Sequence, residues 1–198
     1  MPGVRRQDMV QGLRPVIDRY DECKDRMRTG DILLWHSNSL LGALIRMKTG
    51  GDENHASMII RLQEYEGREE RRYHTEAMES GVYPNLLSVR VKGFDGKVWW
   101  LPLKDAYNAK RAEIGARLTE VWGRPYDYGS LFWQLIGKVS VETHRLFCSE
   151  VVDYAMGHTG EAANPHELLS RGYHKDQVLI WENTLPATYN IPTGTSEV

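Results

Sequence analysis

The chain has 198 residues, 41% of them hydrophobic, with a formal net charge of -2 and a pI near 6.4. This length and hydrophobic content suit one large domain better than two small ones. No run of basic residues is longer than two, so the composition provides no electrostatic surface for nucleic acid. Cys23 and Cys148 are the only cysteines, which excludes a disulfide framework and favours a reduced compartment.

The first residues carry no targeting pattern. Charged and apolar residues alternate over residues 1–20, and no apolar run in the chain approaches the roughly 20 residues needed to span a bilayer. We therefore expect no transmembrane segment, and a protein that is cytoplasmic or is delivered without a signal peptide.

Hydrophobic spacing predicts helices at both ends of the chain and an antiparallel β region in the middle. Apolar residues recur at helical spacing over residues 10–27, which predicts an amphipathic helix with Cys23 packed on its apolar side. Short apolar or alternating runs bounded by turn residues are typical of strands. Such runs cover residues 32–35, 54–60, 73–78, 82–91, 97–103 and 178–181. Further helices are predicted over residues 39–48, 105–122 and 128–136, with a helical turn over residues 164–169.

A short amphipathic helix predicted over residues 143–157 carries a cysteine in its first turn. Val152 and Ala155 follow Cys148 by four and seven positions, so the sulfur shares their core-facing side. The unpaired backbone N–H groups at a helix N-terminus favour a thiolate and can also hold an oxyanion. Cys148 is therefore a candidate nucleophile. The alternative is a buried thiol that only fills space in the core.

A nucleophilic cysteine needs a base within hydrogen-bond reach and a third group that orients the base. His55 begins an otherwise apolar strand, where an imidazole without a partner would be costly, so it is the candidate base. His74 and Glu76 lie two residues apart on the next strand, and either can orient His55 if the strands pair. The alternatives are a hydrogen-bonded histidine at a strand end and the solvent-facing side of a half-exposed sheet.

Residues 123–129 combine turn residues with two tyrosines. This segment can place Tyr126 or Tyr128 beside the predicted cleft, and we name both, with His74, as candidate substrate-binding residues. The alternative is that the tyrosines only stabilise the turn.

Seven short motifs occur in one order over residues 29–169. They are Gly30-Asp31-Ile32-Leu33-Leu34-Trp35, Leu44-Ile45-Arg46 with Thr49, Asn54-His55-Ala56, Glu76-Ala77 with Gly81-Val82, residues 123–128, Phe147-Cys148-Ser149-Glu150-Val151-Val152, and Asn164-Pro165-His166-Glu167-Leu168-Leu169. Together they resemble the circularly permuted papain-like amidases of the YiiX/YaeF type, within the NlpC-like cysteine peptidase superfamily. In papain the cysteine precedes the histidine, whereas in the permuted group the histidine comes first, then an acidic or polar residue, then the cysteine. His55, Glu76 and Cys148 follow the permuted order.

The resemblance implies an α+β fold of the circularly permuted papain-like (NlpC-like) type. In this fold an antiparallel β-sheet packs against helices, and the cysteine helix lies against the sheet. On this basis we expect an N-terminal helical extension over residues 1–28, a catalytic domain over residues 29–185 and a polar C-terminal tail over residues 186–198.

The resemblance also implies cysteine-dependent hydrolysis of an amide bond through an acyl-enzyme. The expected substrate is a peptide, including peptides derived from peptidoglycan, with Cys148 as nucleophile, His55 as base and Glu76 as orienting group. No cofactor and no metal is expected. The alternative within enzymes is a lipid or ester acylhydrolase or acyltransferase on the same fold.

Two interpretations from other classes stay open. One is a metal site built from His55, His74, Glu76 and Cys148, although their spacing matches no compact zinc signature. The other is a catalytically silent binding module that keeps the groove of the fold without its chemistry.

Overall fold

The computed structural model describes residues 17–39, 43, 46–47, 50–64, 69–78, 80–125, 148–158 and 164–183. Within them, seven strands form one sheet in the order β1-β7-β6-β2-β3-β4-β5, and every neighbouring pair is antiparallel. The strands are β1 (Ile17–Asp18), β2 (Ile32–Ser37), β3 (His55–Glu64), β4 (Glu69–Met78), β5 (Gly81–Leu86), β6 (Gly96–Leu101) and β7 (Val178–Asn183).

Four α-helices and three 3-10 helices have their bounds within the described residues, and residues 43, 46 and 47 are helical as well. The α-helices are α1 (Tyr20–Cys23), α2 (Leu87–Lys92), α3 (Arg111–Glu120) and α4 (Cys148–Met156). The 3-10 helices are Lys24–Arg26, Asp105–Lys110 and Glu167–Arg171. No helix in this part of the chain has the length and apolar character needed to cross a membrane.

The two faces of the sheet bury two separate cores. Side chains alternate between the faces of a strand, so Ile32 and Leu34 of β2 enter one core while Leu33 and Trp35 enter the other. Helices α3 and α4 pack on the first face, and α1 and α2 cover the second. The fold is therefore α+β with helices on both sides of an antiparallel sheet, and the predicted fold class is confirmed at this level.

Most of the predicted strands are present. The strands predicted at 32–35, 54–60, 73–78, 97–103 and 178–181 correspond to β2, β3, β4, β6 and β7. The helix predicted over 105–122 begins instead as a 3-10 helix and becomes α-helical at Arg111. The predicted helix at 128–136, most of that at 39–48 and residues 143–147 lie outside the described residues.

The strand predicted over residues 82–91 is wrong in its second half. The strand ends at Leu86, and residues 87–92 form the helix α2. Leu87 and Val91, one helical turn apart, are fully buried, whereas Val89 between them is 69% exposed. The spacing of four between the buried residues is that of a helix face, and it prevails over the alternation that also suits a strand.

The continuous N-terminal helix predicted up to residue 27 is also wrong in its described part. Ile17 and Asp18 pair with β7, and the backbone N–H of Arg19 donates to Ile180 at 2.8 Å, so the chain enters as an edge strand before the single turn of α1. Cys23 is nevertheless fully buried in the second core, as its place on the apolar side predicts. The domain limits at residues 28 and 186 stay predictions.

Candidate active site

The pairing of β3 with β4 brings the candidate base to one of its two candidate orienting residues. With Met58 opposite Thr75, the His55 Nε2 atom lies 3.0 Å from Glu76 Oε2. The Glu76 side chain is 2% exposed and that of His55 is 17% exposed. A carboxylate only accepts hydrogen bonds, so the His55 Nε2 atom carries the hydrogen and its tautomer is defined by Glu76.

The cysteine reaches the same imidazole from the other side. Cys148 is the first residue of α4, and the packing of that helix on β3 buries the thiol together with Val152 and Ala155. The thiol makes a hydrogen bond to the His55 ring, whose Nδ1 atom is the nitrogen that Glu76 leaves free. His55 therefore lies between a thiol and a carboxylate.

In this group of three side chains, each charged form stabilises the charged form of its neighbour. Burial alone would lower the pKa of His55, but the thiolate of Cys148 and the carboxylate of Glu76 outweigh burial and raise the pKa to about 9. Burial alone would raise the pKa of Cys148. The imidazolium of His55 and the backbone N–H groups of Ala56 and Ser149 outweigh burial and lower the pKa. The group thus favours a thiolate beside an imidazolium at neutral pH.

Glu76 stays ionised although it is buried. Burial raises its pKa, but the hydrogen bond from His55 and the charges of His74, His55 and Arg90 outweigh burial and lower the pKa to about 2. A buried carboxylate with this pKa holds a negative charge throughout the physiological range, and it can stabilise an imidazolium on His55.

His74, the other candidate orienting residue, lies in the interior beside Glu76. Its side chain is fully buried, with Nδ1 3.0 Å from the Ser57 hydroxyl and its ring 5.4 Å from that of Trp35. The Nε2 atom lies 3.6 Å from Glu76 Oε1, too far for a normal hydrogen bond. The sheet and Trp35 enclose the ring, and the assignment of His74 as a substrate-binding residue stays a prediction. Tyr126 and Tyr128 lie outside the described residues.

Glu76 has two further partners that were not predicted from the sequence. The side-chain amide of Asn85 donates to Glu76 Oε1 at 3.1 Å, and Arg90 Nε donates to the same oxygen at 3.1 Å. Asn85 is opposite His74 in the β4–β5 register, so it faces the same side of the sheet as Glu76. The sequence signal for this contact was an asparagine within a predicted strand. That signal identifies Glu76 as the partner only when the register between β4 and β5 is known, and the sequence does not specify the register.

Comparisons with known proteins support the fold. No family model and no curated protein matches the chain significantly. Among solved structures, the chain is similar to the crystal structure of metalloprotein YiiX from Escherichia coli O157:H7. The match has a TM-score of 0.50 and 23% sequence identity, and it covers 66% of this chain and 67% of that chain. The chain therefore has a YiiX-type fold, as the order of its motifs predicts.

Proposed function

We propose that this chain is a cysteine hydrolase of the circularly permuted papain-like type, which cleaves an amide bond in a peptide. The observation that carries the proposal is the position of His55, with Cys148 on one side of its ring and the buried Glu76 carboxylate on the other. A nucleophile, a base and an orienting group in hydrogen-bonded sequence are the requirements for covalent catalysis by a thiol.

In the proposed reaction, the Cys148 thiolate attacks the carbonyl carbon and the carbonyl π electrons move to the oxygen. The backbone N–H of Cys148 is the candidate donor to this oxyanion. As the tetrahedral intermediate collapses, the His55 imidazolium gives its proton to the leaving amine, and an acyl-thioester remains on the sulfur. Water then attacks the thioester while His55 takes up a proton from it, which releases the carboxylic acid and restores the thiolate. Glu76 stabilises the imidazolium state of His55 and keeps the ring oriented.

A metal at this site is the competing proposal, because YiiX is named a metalloprotein. The donor set here does not fit one. Both oxygens of Glu76 already accept hydrogen bonds, and the Arg90 guanidinium, 3.1 Å from Oε1, would repel a cation. Within the described part of the chain, no group of three or more His, Cys, Asp or Glu side chains has the arrangement of a metal site. The proposed reaction therefore proceeds through the thiol and the imidazole.

The proposal is tested by trapping the acyl-enzyme. The protein is incubated with a panel of peptidyl chloromethyl ketones and of activated peptidyl and fatty-acyl esters, and adducts are located by mass spectrometry of intact protein and of its peptides. We expect covalent modification at Cys148 in the wild type and in Cys23→Ser, none in Cys148→Ala, and slow modification in His55→Ala. Preference for fatty-acyl over peptidyl probes would favour the lipid-directed alternative. A folded protein that no probe modifies at Cys148 would favour the silent binding module.

A further inference from the structure

The two oxygens of the Glu76 carboxylate contact different groups. Oε2 faces His55, whereas Oε1 accepts hydrogen bonds from Asn85 on β5 and from Arg90 on α2. Both donors come from elements that follow Glu76 in the chain: β5 is the next strand of the sheet, and α2 covers the second core. Because three donors surround one side chain that is 2% exposed, the carboxylate has little freedom to rotate.

Arg90 is itself held in place by aromatic side chains. Its guanidinium carbon lies 5.5 Å from the centroid of the Trp35 ring and 5.4 Å from that of Phe94. The two rings also contact each other edge to face at 4.9 Å. Such contacts favour the flat guanidinium group of arginine over the point charge of lysine. Leu87 and Val91 anchor α2 on the second core, so the backbone that carries Arg90 is fixed as well.

Arg90 also compensates the charge of Glu76. Removing a carboxylate from water is unfavourable unless an opposite charge and hydrogen bonds replace the solvent. His55 supplies a charge only while it is protonated, whereas arginine is charged at all physiological pH values. Around Glu76, the charged and titratable groups of the packed elements are His55 from β3, His74 from β4 and Arg90 from α2, with Cys148 of α4 beyond His55. Arg90 is thus the permanent cation of the group.

We infer that Arg90 and Asn85 are positioning residues, which hold Glu76 ionised and turned toward His55 and thereby stabilise the Cys148 thiolate. This inference rests on the proposed function, since it assigns the two residues to the same site. Neither residue contacts the thiol, and both act through Glu76. Arg90 has the larger effect, because it contributes a charge as well as a hydrogen bond.

The position of Arg90 allows a direct chemical test. Together with Glu76, Asn85 and Val89 it lines a cavity of about 500 Å³ between β4, β5 and α2. The Arg90 side chain is 31% exposed, so truncation to alanine leaves a space next to Glu76 that a small cation can enter from outside. Added guanidinium ion should therefore replace the missing side chain in Arg90→Ala.

The measurement is the rate of iodoacetamide alkylation of Cys148 as a function of pH, followed by peptide mass spectrometry. We expect Arg90→Gln to raise the apparent pKa of Cys148 by about one unit, which slows alkylation roughly tenfold at pH values below the pKa. Asn85→Ala should shift it in the same direction by less, and Arg90→Lys should recover only part of the loss. Lys92→Gln is the matched control on the same helix, since Lys92 pairs with Asp21 and not with Glu76.

Two further experiments separate positioning from a general effect on the fold. In a Glu76→Gln background, Arg90→Gln should cause no additional shift, because its effect passes through the carboxylate. Guanidinium, added well below the concentration that unfolds the protein, should restore the rate in Arg90→Ala and leave Lys92→Ala unchanged. A loss of thermal stability alone would not produce either result.

The outcomes that contradict the inference differ from those that contradict the proposed function. If wild-type Cys148 shows an ordinary thiol pKa, the proposed function fails. If wild-type Cys148 has a depressed pKa that Arg90→Gln and Asn85→Ala leave unchanged, only the inference fails. It also fails if the Arg90→Gln shift persists in full in the Glu76→Gln background.

Discussion

The Nδ1 atom of His74 lies 3.0 Å from the hydroxyl oxygen of Ser57. This contact determines which ring nitrogen of the buried His74, next to the candidate active site, carries the hydrogen. The indole N–H of Trp35 donates to the same hydroxyl at 2.9 Å, so the hydroxyl hydrogen of Ser57 is available to His74 Nδ1. The hydrogen of the His74 ring then lies on Nε2, toward the Glu76 carboxylate 3.6 Å away. His74 is thus a neutral residue that supports the charged group.

We predict that His74 makes the protein sensitive to mild acid. Burial lowers the pKa of His74 from 6.5 to about 4, so between these values the unfolded chain takes up a proton that the folded protein does not. The free energy of unfolding should therefore fall as the pH drops from about 6.5 to about 4, by roughly 3 kcal/mol for this residue. Urea unfolding of wild type and His74→Gln at pH 7.5, 5.5 and 4.5 measures the difference.

The raised pKa of His55 has the opposite effect on stability, which is present below pH 6.5 and lost as the pH rises toward about 9. Because His74→Gln retains His55, the comparison with wild type isolates His74. His158→Gln serves as the control for loss of a histidine elsewhere. Parallel pH profiles for wild type and His74→Gln would contradict the prediction.

The second prediction concerns a buried carboxylate outside the site. Asp31 is 1% exposed and accepts hydrogen bonds from Trp100 Nε1 at 3.0 Å, from the backbone N–H of Leu103 at 3.1 Å and from Arg111 Nη1 at 2.8 Å. Asp31→Ala leaves these donors, one of them charged, without their acceptor in a largely buried place. We expect a loss of about 3–5 kcal/mol in the free energy of unfolding, measured with urea at pH 7.

Asp105 provides the control for Asp31. It pairs with Lys175 at 2.9 Å, but its side chain is 77% exposed. Asp105→Ala should lower the free energy of unfolding far less than Asp31→Ala does, because solvent screens such exposed pairs. Equal losses in the two variants would show that burial of the carboxylate does not determine how far its removal lowers the free energy of unfolding.

How much of the candidate active site can be predicted from the sequence depends on how far apart along the chain the contacting residues lie. His74 and Glu76 are two residues apart, so the alternation of a strand places both on one face, and the apolar run after His55 marks the partner strand. Which of the two contacts His55 depends on the register between β3 and β4, and the sequence left both possible.

The helix α2 could not be predicted from the sequence for a related reason. Residues 87–91 alternate as a strand does and also have the spacing of a helix face, and packing against the second core decides between them. With these residues predicted as a strand, the position of Arg90 beside Glu76 could not be anticipated. The short predicted strand at 32–35 did not indicate that Trp35 would contact both Arg90 and His74.

The third prediction is that the site holds no stoichiometric metal. Arg90 and Asn85 occupy one oxygen of Glu76 and His55 occupies the other, so the carboxylate has no oxygen to offer a cation without losing these partners. Elemental analysis of purified protein should show well under one zinc per chain, and a chelator should leave the thermal midpoint and Cys148 alkylation unchanged. One zinc per chain that disappears in Cys148→Ser would instead support a metal site.

The last prediction tests the mutual dependence of Cys148 and His55. In the wild type, the imidazolium of His55 lowers the pKa of Cys148 against the opposing effect of burial. His55→Ala removes the cation and leaves the burial, so the pKa of Cys148 should rise to or above the ordinary value of about 8.5. Iodoacetamide should then label Cys148 rapidly at pH 6 in the wild type and at least roughly 30-fold more slowly in His55→Ala.

Glu76→Gln should lie between the wild type and His55→Ala, because it keeps the imidazole but removes the charge that stabilises its protonated form. His158→Ala should alkylate as the wild type does. Cys23 is fully buried in the second core, so it should react only after unfolding, and its labelling then serves as the internal standard. Two outcomes would contradict the assignment of His55 as the base: equal reaction of both cysteines in the folded protein, or an unchanged pH profile in His55→Ala. Either would show that His55 does not stabilise the thiolate of Cys148.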